Sequence, residues 1–168
     1  HTGYPDQTAR IILDSQRTIP FERNTPFFLS ELKDGEVCPR NALKKALKLL
    51  KELGFKGKSA LEYEFFLFNE TPHSVREKDF QNLTSFTPGM FGYSLLRSSV
   101  NSELFQEILE LCESMDLPLE GLHTETGPGV LEAAIAADET LNSADKAVLF
   151  KTFMKVLAQR KNLMATFM

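Results

Sequence analysis

Residues 61–68 run Leu61-Glu62-Tyr63-Glu64-Phe65-Phe66-Leu67-Phe68, and the reading of this octapeptide decides the fold. Its length and aromatic content predict a β-strand. Strand side chains alternate, so Glu62 and Glu64 share a face with Phe66 and Phe68, while Leu61, Tyr63, Phe65 and Leu67 point the other way. Both faces are largely apolar, which predicts a strand covered on both sides. Two like charges two positions apart would then sit near low-dielectric surroundings. At an effective dielectric near ~20, unit charges about 4 Å apart repel by roughly 4 kcal/mol. Protons, basic partners or metal ions must neutralise such a pair. A Glu-x-Glu pair also suits an edge strand or an ion-paired surface, where the conflict disappears.

The conflict recurs downstream. A strand pair is predicted over Glu120 to Thr126 and Val130 to Ala136, flanking Gly127-Pro128-Gly129. Glu125 shares a face with His123, and Glu132 lies among Val130, Ala134 and Ala136. The glycines let the backbone take a tight path that gathers Glu125 and Glu132 around one point, although Gly-Pro-Gly is also ordinary turn sequence. Several carboxylates with at most one imidazole and no thiolate suit a hard divalent cation, Mg²⁺ or Mn²⁺, rather than zinc. Ions of that kind work on phosphate. His123 is read as a polar structural neighbour rather than a ligand, and His73 as a loop residue exposed to solvent.

Working outward, Thr8 to Leu13 and Thr25 to Leu29 predict short paired strands separated by Asp14-Ser15-Gln16-Arg17, and Asp34-Gly35 predicts a turn. Pro39 suits the first position of a helix whose apolar stripe is Leu43, Ala46, Leu47 and Leu50, ending at Gly54. Its lysines, Lys44, Lys45, Lys48 and Lys51, form a solvated face. A long polar loop is expected from Asn69 to about Gly92. Asn101 or Ser102 is expected to cap a helix with Phe105, Ile108, Leu109, Cys112 and Met115 inward, and Asn142 or Ser143 one with Val148, Leu149, Phe153, Val156 and Leu157 inward.

Composition narrows the partners. The 168 residues carry a net charge of −4, with 42% hydrophobic and 25% charged residues, enough to build one core. Dispersed lysines and arginines offer no footprint for nucleic acid or an anionic membrane surface. Cys38 and Cys112 form neither a disulfide framework nor a zinc motif, so a reducing, cytoplasmic setting is expected. The chain starts at His1 and stops at Met168 inside the apolar run 163–168, which predicts an internal portion of a longer protein.

Glu62-Tyr63-Glu64-Phe65-Phe66-Leu67-Phe68, taken with the stretch Gly121 to Glu132, resembles the paired metal-binding motifs of the glutamine synthetase family. Gly3-Tyr4-Pro5-Asp6 and the strands after it resemble the end of that family's amino-terminal β-grasp region. Cys38-Pro39-Arg40 resembles the start of its catalytic domain, and Ala165 to Met168 the strand before its nucleotide-binding motifs. The chain is most similar to the bacterial type I, glutamine synthetase-like branch, which includes ligases for amines other than ammonia. The resemblance implies a boundary, with residues 1–36 closing the β-grasp-like region and 37–168 opening the catalytic domain, whose carboxy-terminal part is absent.

It also implies chemistry. Glu64, Glu125 and Glu132 would hold the metal on the glutamate side, and Glu62 would help hold a second one at the nucleotide phosphates. Glu125 and Tyr93 would belong to the catalytic set, Tyr93 lining the ammonium site. ATP would be co-substrate, glutamate and ammonia or an amine the other substrates, and γ-glutamyl phosphate the intermediate. The assembly would be a homo-oligomeric ring, a dodecamer. Val130 stands where many relatives carry a polar residue, commonly Gln, and the later histidine and arginine motifs are not in this chain. The expected architecture is α+β: an antiparallel catalytic sheet covered by three amphipathic helices, with the remnant of the β-grasp region. The alternative function is a non-catalytic relative acting as a structural or metal- and nucleotide-binding protein.

Overall fold

The computed structural model describes residues 6–33 and 37–168. Among these, the strands and helices run β1 (Ala9–Ile11), β2 (Arg17–Thr18), β3 (Pro26–Phe27), β4 (Ser30–Leu32), α1 (Pro39–Glu52), β5 (Lys58–Phe68), α2 (Pro72–Glu77), α3 (Leu95–Val100), α4 (Ser102–Ser114), β6 (Leu119–Thr124), β7 (Val130–Glu139), α5 (Thr140–Arg160) and β8 (Met164–Thr166). The Asp34-Gly35 turn and Gly3-Tyr4-Pro5 lie outside the described residues.

Four strands form one antiparallel sheet in the order β6-β7-β5-β8. The mixed α+β architecture is therefore as the sequence predicts. Alternation sends Phe65 and Leu67 of β5, with Leu131, Ala133 and Ile135 of β7, into a core closed by Ile108 of α4 and Phe150 and Met154 of α5. Phe150 meets Phe65 edge-on at 5.9 Å and stacks on Tyr63 at 5.8 Å, arrangements that the ring quadrupole favours.

The other face is open, contrary to the expected two-sided cover. Glu62 and Glu64 are exposed, and Phe66 and Phe68, stacked on each other, are half-buried. The helices account for this. Both α4 and α5 pack on the face carrying Phe65 and Leu67, whereas α1 rests against β4 and α5, with Leu43, Leu47 and Leu50 half-buried and no residue fully buried. Two helices, not three, cover the sheet.

The helices exist where predicted, but two are rotated. In α4 the buried face is Leu104, Ile108, Leu111 and Cys112, with Leu109 exposed. Asn101 does not cap this helix by its side chain; its Nδ2 donates to Arg97 O at 2.8 Å, closing α3 instead. Helix α5 begins at Thr140, directly after β7, so neither Asn142 nor Ser143 caps it. It buries Ala147, Leu149, Phe150, Phe153, Met154, Leu157 and Ala158, leaving Val148 56% exposed. No helix among the described residues is long and apolar enough to cross a membrane.

At the amino end the pairing is nested, β1 with β4 and β2 with β3, in place of the direct pairing of Thr8–Leu13 with Thr25–Leu29 that the sequence predicts, and a 3-10 turn at Leu13–Ser15 follows β1. Buried Glu31 of β4 pairs with Arg10, Arg40 and Lys44, and Arg40 also holds Asp145 of α5. That network fastens β1, β4, α1 and α5 together. The segment after β5 is more ordered than a polar loop: α2 is capped at its amino end by a Thr71/Ser74 capping box. Glu70, also buried, accepts from Lys78 Nζ, Ser74 Oγ and Thr84 N.

Candidate metal centre

The open sheet face carries the carboxylates, and register brings them together. In the ladder, Glu64 of β5 lies opposite Glu132 of β7, and Glu132 lies opposite His123 of β6. Three strands thus contribute one transverse row on one face, with Glu62 one pleat further along β5. Glu125 follows β6, and its amide donates to Val130 O at 3.0 Å, so the turn over Thr126–Gly129 folds Glu125 back towards Glu132. His123, Glu125 and Glu132 each offer one donor atom, and these atoms all lie within 4.8 Å of one another. His123 Nδ1 is 3.9 Å from Glu125 Oε2, and Nε2 is 3.9 Å from Glu132 Oε2. Such separations are too long for hydrogen bonds but suit groups converging on a third atom.

Tyr93 reaches the cluster from the segment before α3. Its amide donates to Thr124 O at 2.7 Å, and Ser94 N donates to Thr124 Oγ1 at 3.0 Å. With a left-handed φ of 54°, Tyr93 lays its exposed ring on the His123 ring, centroids 4.8 Å apart.

The charges of the site are out of balance. Among the described residues no Lys or Arg forms an ion pair with Glu62, Glu64, Glu125 or Glu132. The Tyr93 hydroxyl, then the Thr126 amide and hydroxyl, hold the Glu125 carboxyl below its ordinary range. The same carboxylate raises the Tyr93 phenol. Burial pushes Glu132 up; His123 opposes that rise, and Glu62, Glu125 and Glu64 reinforce it. Glu125 Oε1 accepts from Thr126 N at 2.7 Å, but Oε2 is buried without a hydrogen-bond partner. A buried, unpartnered carboxylate oxygen facing an imidazole and a second carboxylate fits the role of a cation ligand. The donor set of oxygens with one imidazole nitrogen fits a hard or borderline divalent ion.

Comparison with known proteins supplies the family. A model of the glutamine synthetase catalytic domain matches residues 36–168. The chain belongs to the glutamine synthetase family. It is 47% identical over its whole length to type-1 glutamine synthetase 2 of Dictyostelium discoideum, of which it spans 33%. It is 30% identical over 99% of its length to a glutamate–isopropylamine ligase of a Pseudomonas species, spanning 38% of that protein. Among solved structures, the GmaS/ADP complex superposes on the whole chain with a TM-score of 0.82 at 22% identity, the chain covering 39% of it. The chain thus spans about a third of the length of the relatives it matches.

For a glutamine synthetase-family chain, the site gathers the expected residues unequally. Glu125 and Glu132 converge tightly, Glu64 completes their row, Glu62 shares the face at a distance, and Tyr93 stacks at the rim. His123, read from sequence as a bystander, stands between Glu125 and Glu132. Its alternation with Glu125 placed it on the right face, but only the pairing of β6 with β7 sets it opposite Glu132. Val130 is buried beneath the turn, beside Gly127 and near Phe66.

Proposed function

We propose that the protein is a glutamine synthetase-like carboxylate–amine ligase, in which residues 1–36 close a β-grasp-like region and 37–168 form the first part of the catalytic domain. ATP phosphorylates the γ-carboxylate of glutamate, and ammonia or an amine displaces phosphate from the γ-glutamyl phosphate. The observation carrying this reading is the buried, unpartnered Glu125 Oε2 within a row of carboxylates that no Lys or Arg among the described residues pairs with. Relatives named as glutamine synthetase and glutamate–isopropylamine ligase support the substrate class.

Glu64, Glu125 and Glu132, joined by His123, would hold one Mg²⁺ or Mn²⁺ ion, and Glu62 would help hold a second. Bound there, divalent ions neutralise and orient the transferring phosphoryl group. The protein's own groups do the rest. Thr126 N fixes one oxygen of Glu125, leaving the other free to ligate. Tyr93 flanks His123 and would line the approach of ammonia or amine. The open sheet face leaves room for nucleotide and glutamate. A homo-oligomeric ring, a dodecamer in the family pattern, in the cytoplasm completes the proposal.

The test is phosphate release by the intact protein with ATP, glutamate, Mn²⁺ and either ammonia or isopropylamine. Glu132→Ala should lower the rate by about a hundredfold or more, as loss of a ligand to the reacting centre does. An unchanged rate overturns the ligase reading, and no amine-dependent release by the unsubstituted protein favours the non-catalytic one.

A further inference from the structure

The Thr87-Pro88-Gly89 stretch stands out in the sequence, and the carboxylate site makes no direct use of it. In the structure Thr87 lies 6% exposed behind the turn that separates Glu125 from Glu132. Its Oγ1 accepts from Gly129 N at 3.1 Å, a bond shielded from water. On its other side the same glycine is gripped by β5, since Leu67 N donates to Gly129 O at 2.8 Å. Gly129 therefore has both backbone groups engaged, one by a strand and one by a side chain.

The seat of that side chain is itself fixed. Phe86 N donates to Leu67 O at 2.9 Å, tying the residue before Thr87 to the strand that holds Gly129 O. Pro88 confines the backbone of Thr87 to extended conformations. The hydroxyl is thus presented from a rigid point. The turn it meets needs such a hold, because Gly127 and Gly129 leave its backbone freer than any other pair of residues would. Val130 follows Gly129 directly, and its carbonyl accepts from Glu125 N. Any rotation of the Gly129 peptide would therefore move the segment that fixes Glu125 and swing the start of β7, two residues before Glu132.

We infer that Thr87 is a positioning residue for the carboxylate site, its hydroxyl locking the Gly127–Gly129 turn so that Glu125 and Glu132 face a common point. The inference rests on the reading that these carboxylates hold a divalent cation. Hydrogen bonds that orient metal-bearing groups typically govern affinity by about 10- to 100-fold. The hydroxyl, not the volume of the side chain, is what the arrangement uses.

The experiment titrates Mn²⁺ alone into the intact protein and reads the free ion by electron paramagnetic resonance, alongside metal-free thermal midpoints. Thr87→Val should weaken Mn²⁺ binding about tenfold or more, and Thr87→Ser, which keeps the hydroxyl, should stay within about twofold of the unsubstituted protein. Should Thr87→Val fail to fold, Thr87→Ala replaces it with the same expected loss. A lowered thermal midpoint with unchanged Mn²⁺ affinity makes Thr87 merely structural and overturns the inference. Equal losses in Thr87→Val and Thr87→Ser overturn it as well. Glu132→Ala, run in parallel, separates the two levels: if it too binds Mn²⁺ unchanged, the cation reading itself fails, whatever Thr87 does.

Discussion

Replacing Gly129 by alanine tests how tightly the site is built into the sheet. Two costs add. Gly129 adopts φ +73°, a left-handed conformation that costs an L-residue roughly 1–2 kcal/mol. Its new Cβ would also fall against Leu67 O and lie 2.9 Å from Phe86 N, two backbone atoms already hydrogen-bonded to each other. Backbone cannot rotate aside as a side chain can, so that bond and the Leu67–Gly129 bond must both lengthen, at about 1 kcal/mol each. The expected destabilisation is about 3–4 kcal/mol. Two other glycines separate the terms. Gly54 has φ +86° but open space around it, so Gly54→Ala should show the conformational cost alone, about 1–2 kcal/mol. The Cβ of a substituted Gly121 would meet only Ala134 Cβ at an ordinary 3.7 Å, so Gly121→Ala should change stability by less than about 1 kcal/mol. Urea unfolding of the intact protein, compared at a common slope, reads all three. A Gly129→Ala loss no larger than that of Gly54→Ala would refute the steric argument.

Two further perturbations probe the packing and the amino-terminal network. Leu149→Ser should cost about 3 kcal/mol, because Leu149 is 2% exposed, while Val148→Ser, at 56% exposed, should cost less than about 1 kcal/mol; equal shifts in thermal midpoint would contradict the observed rotation of α5. The Glu31 carboxyl, held down by Arg10, then Lys44, against the upward push of burial and with Arg40 lowering it further, lies at about 2 against an ordinary 4.5. A carboxylate with a lowered folded pKa stabilises the fold fully above pH 4.5 and loses that contribution as pH falls from about 4.5 through about 2. Glu31→Gln should therefore cost about 2 kcal/mol at neutral pH and flatten the acid limb, and superposable acid profiles for the two proteins would refute the network.

What the sequence revealed, and what it withheld, follows from the range over which each signal acts. Alternation is local, so the faces of Glu62, Glu64, Glu125 and Glu132 were legible from neighbours two residues away. So was Gly54 as the end of α1, since a left-handed stop is a property of one residue. The rotation of α5 was not, because its apolar residues run almost without a gap from Ala147 to Phe150 and again from Val156 to Ala158. Periodicity cannot choose a face when several are apolar; the aromatic contacts of Phe150 with Tyr63 and Phe65 chose it.

The same distinction explains the site. The acidic residues of the octapeptide do share one face with Phe66 and Phe68, but the two-sided cover that would have buried them, and so set up the charge conflict, was wrong: Glu62 and Glu64 are exposed. Phe66 and Phe68 are apolar enough to suggest a buried face, yet in this chain they flank an open one. The membership of the cluster is a question of register, and register is set between strands that are distant in sequence. Glu64 and Glu132 are opposite only because β5 pairs with β7, and His123 joins them only because β6 pairs with β7 one strand further out. A single-residue slip of β6 would turn His123 to the helix-covered face while leaving every local signal intact. The imidazole is thus the residue whose presence in the site depends most on tertiary pairing, whereas Gly129, held by Leu67 N and Thr87 Oγ1, fastens the turn before β7 to β5 and to the segment carrying Thr87.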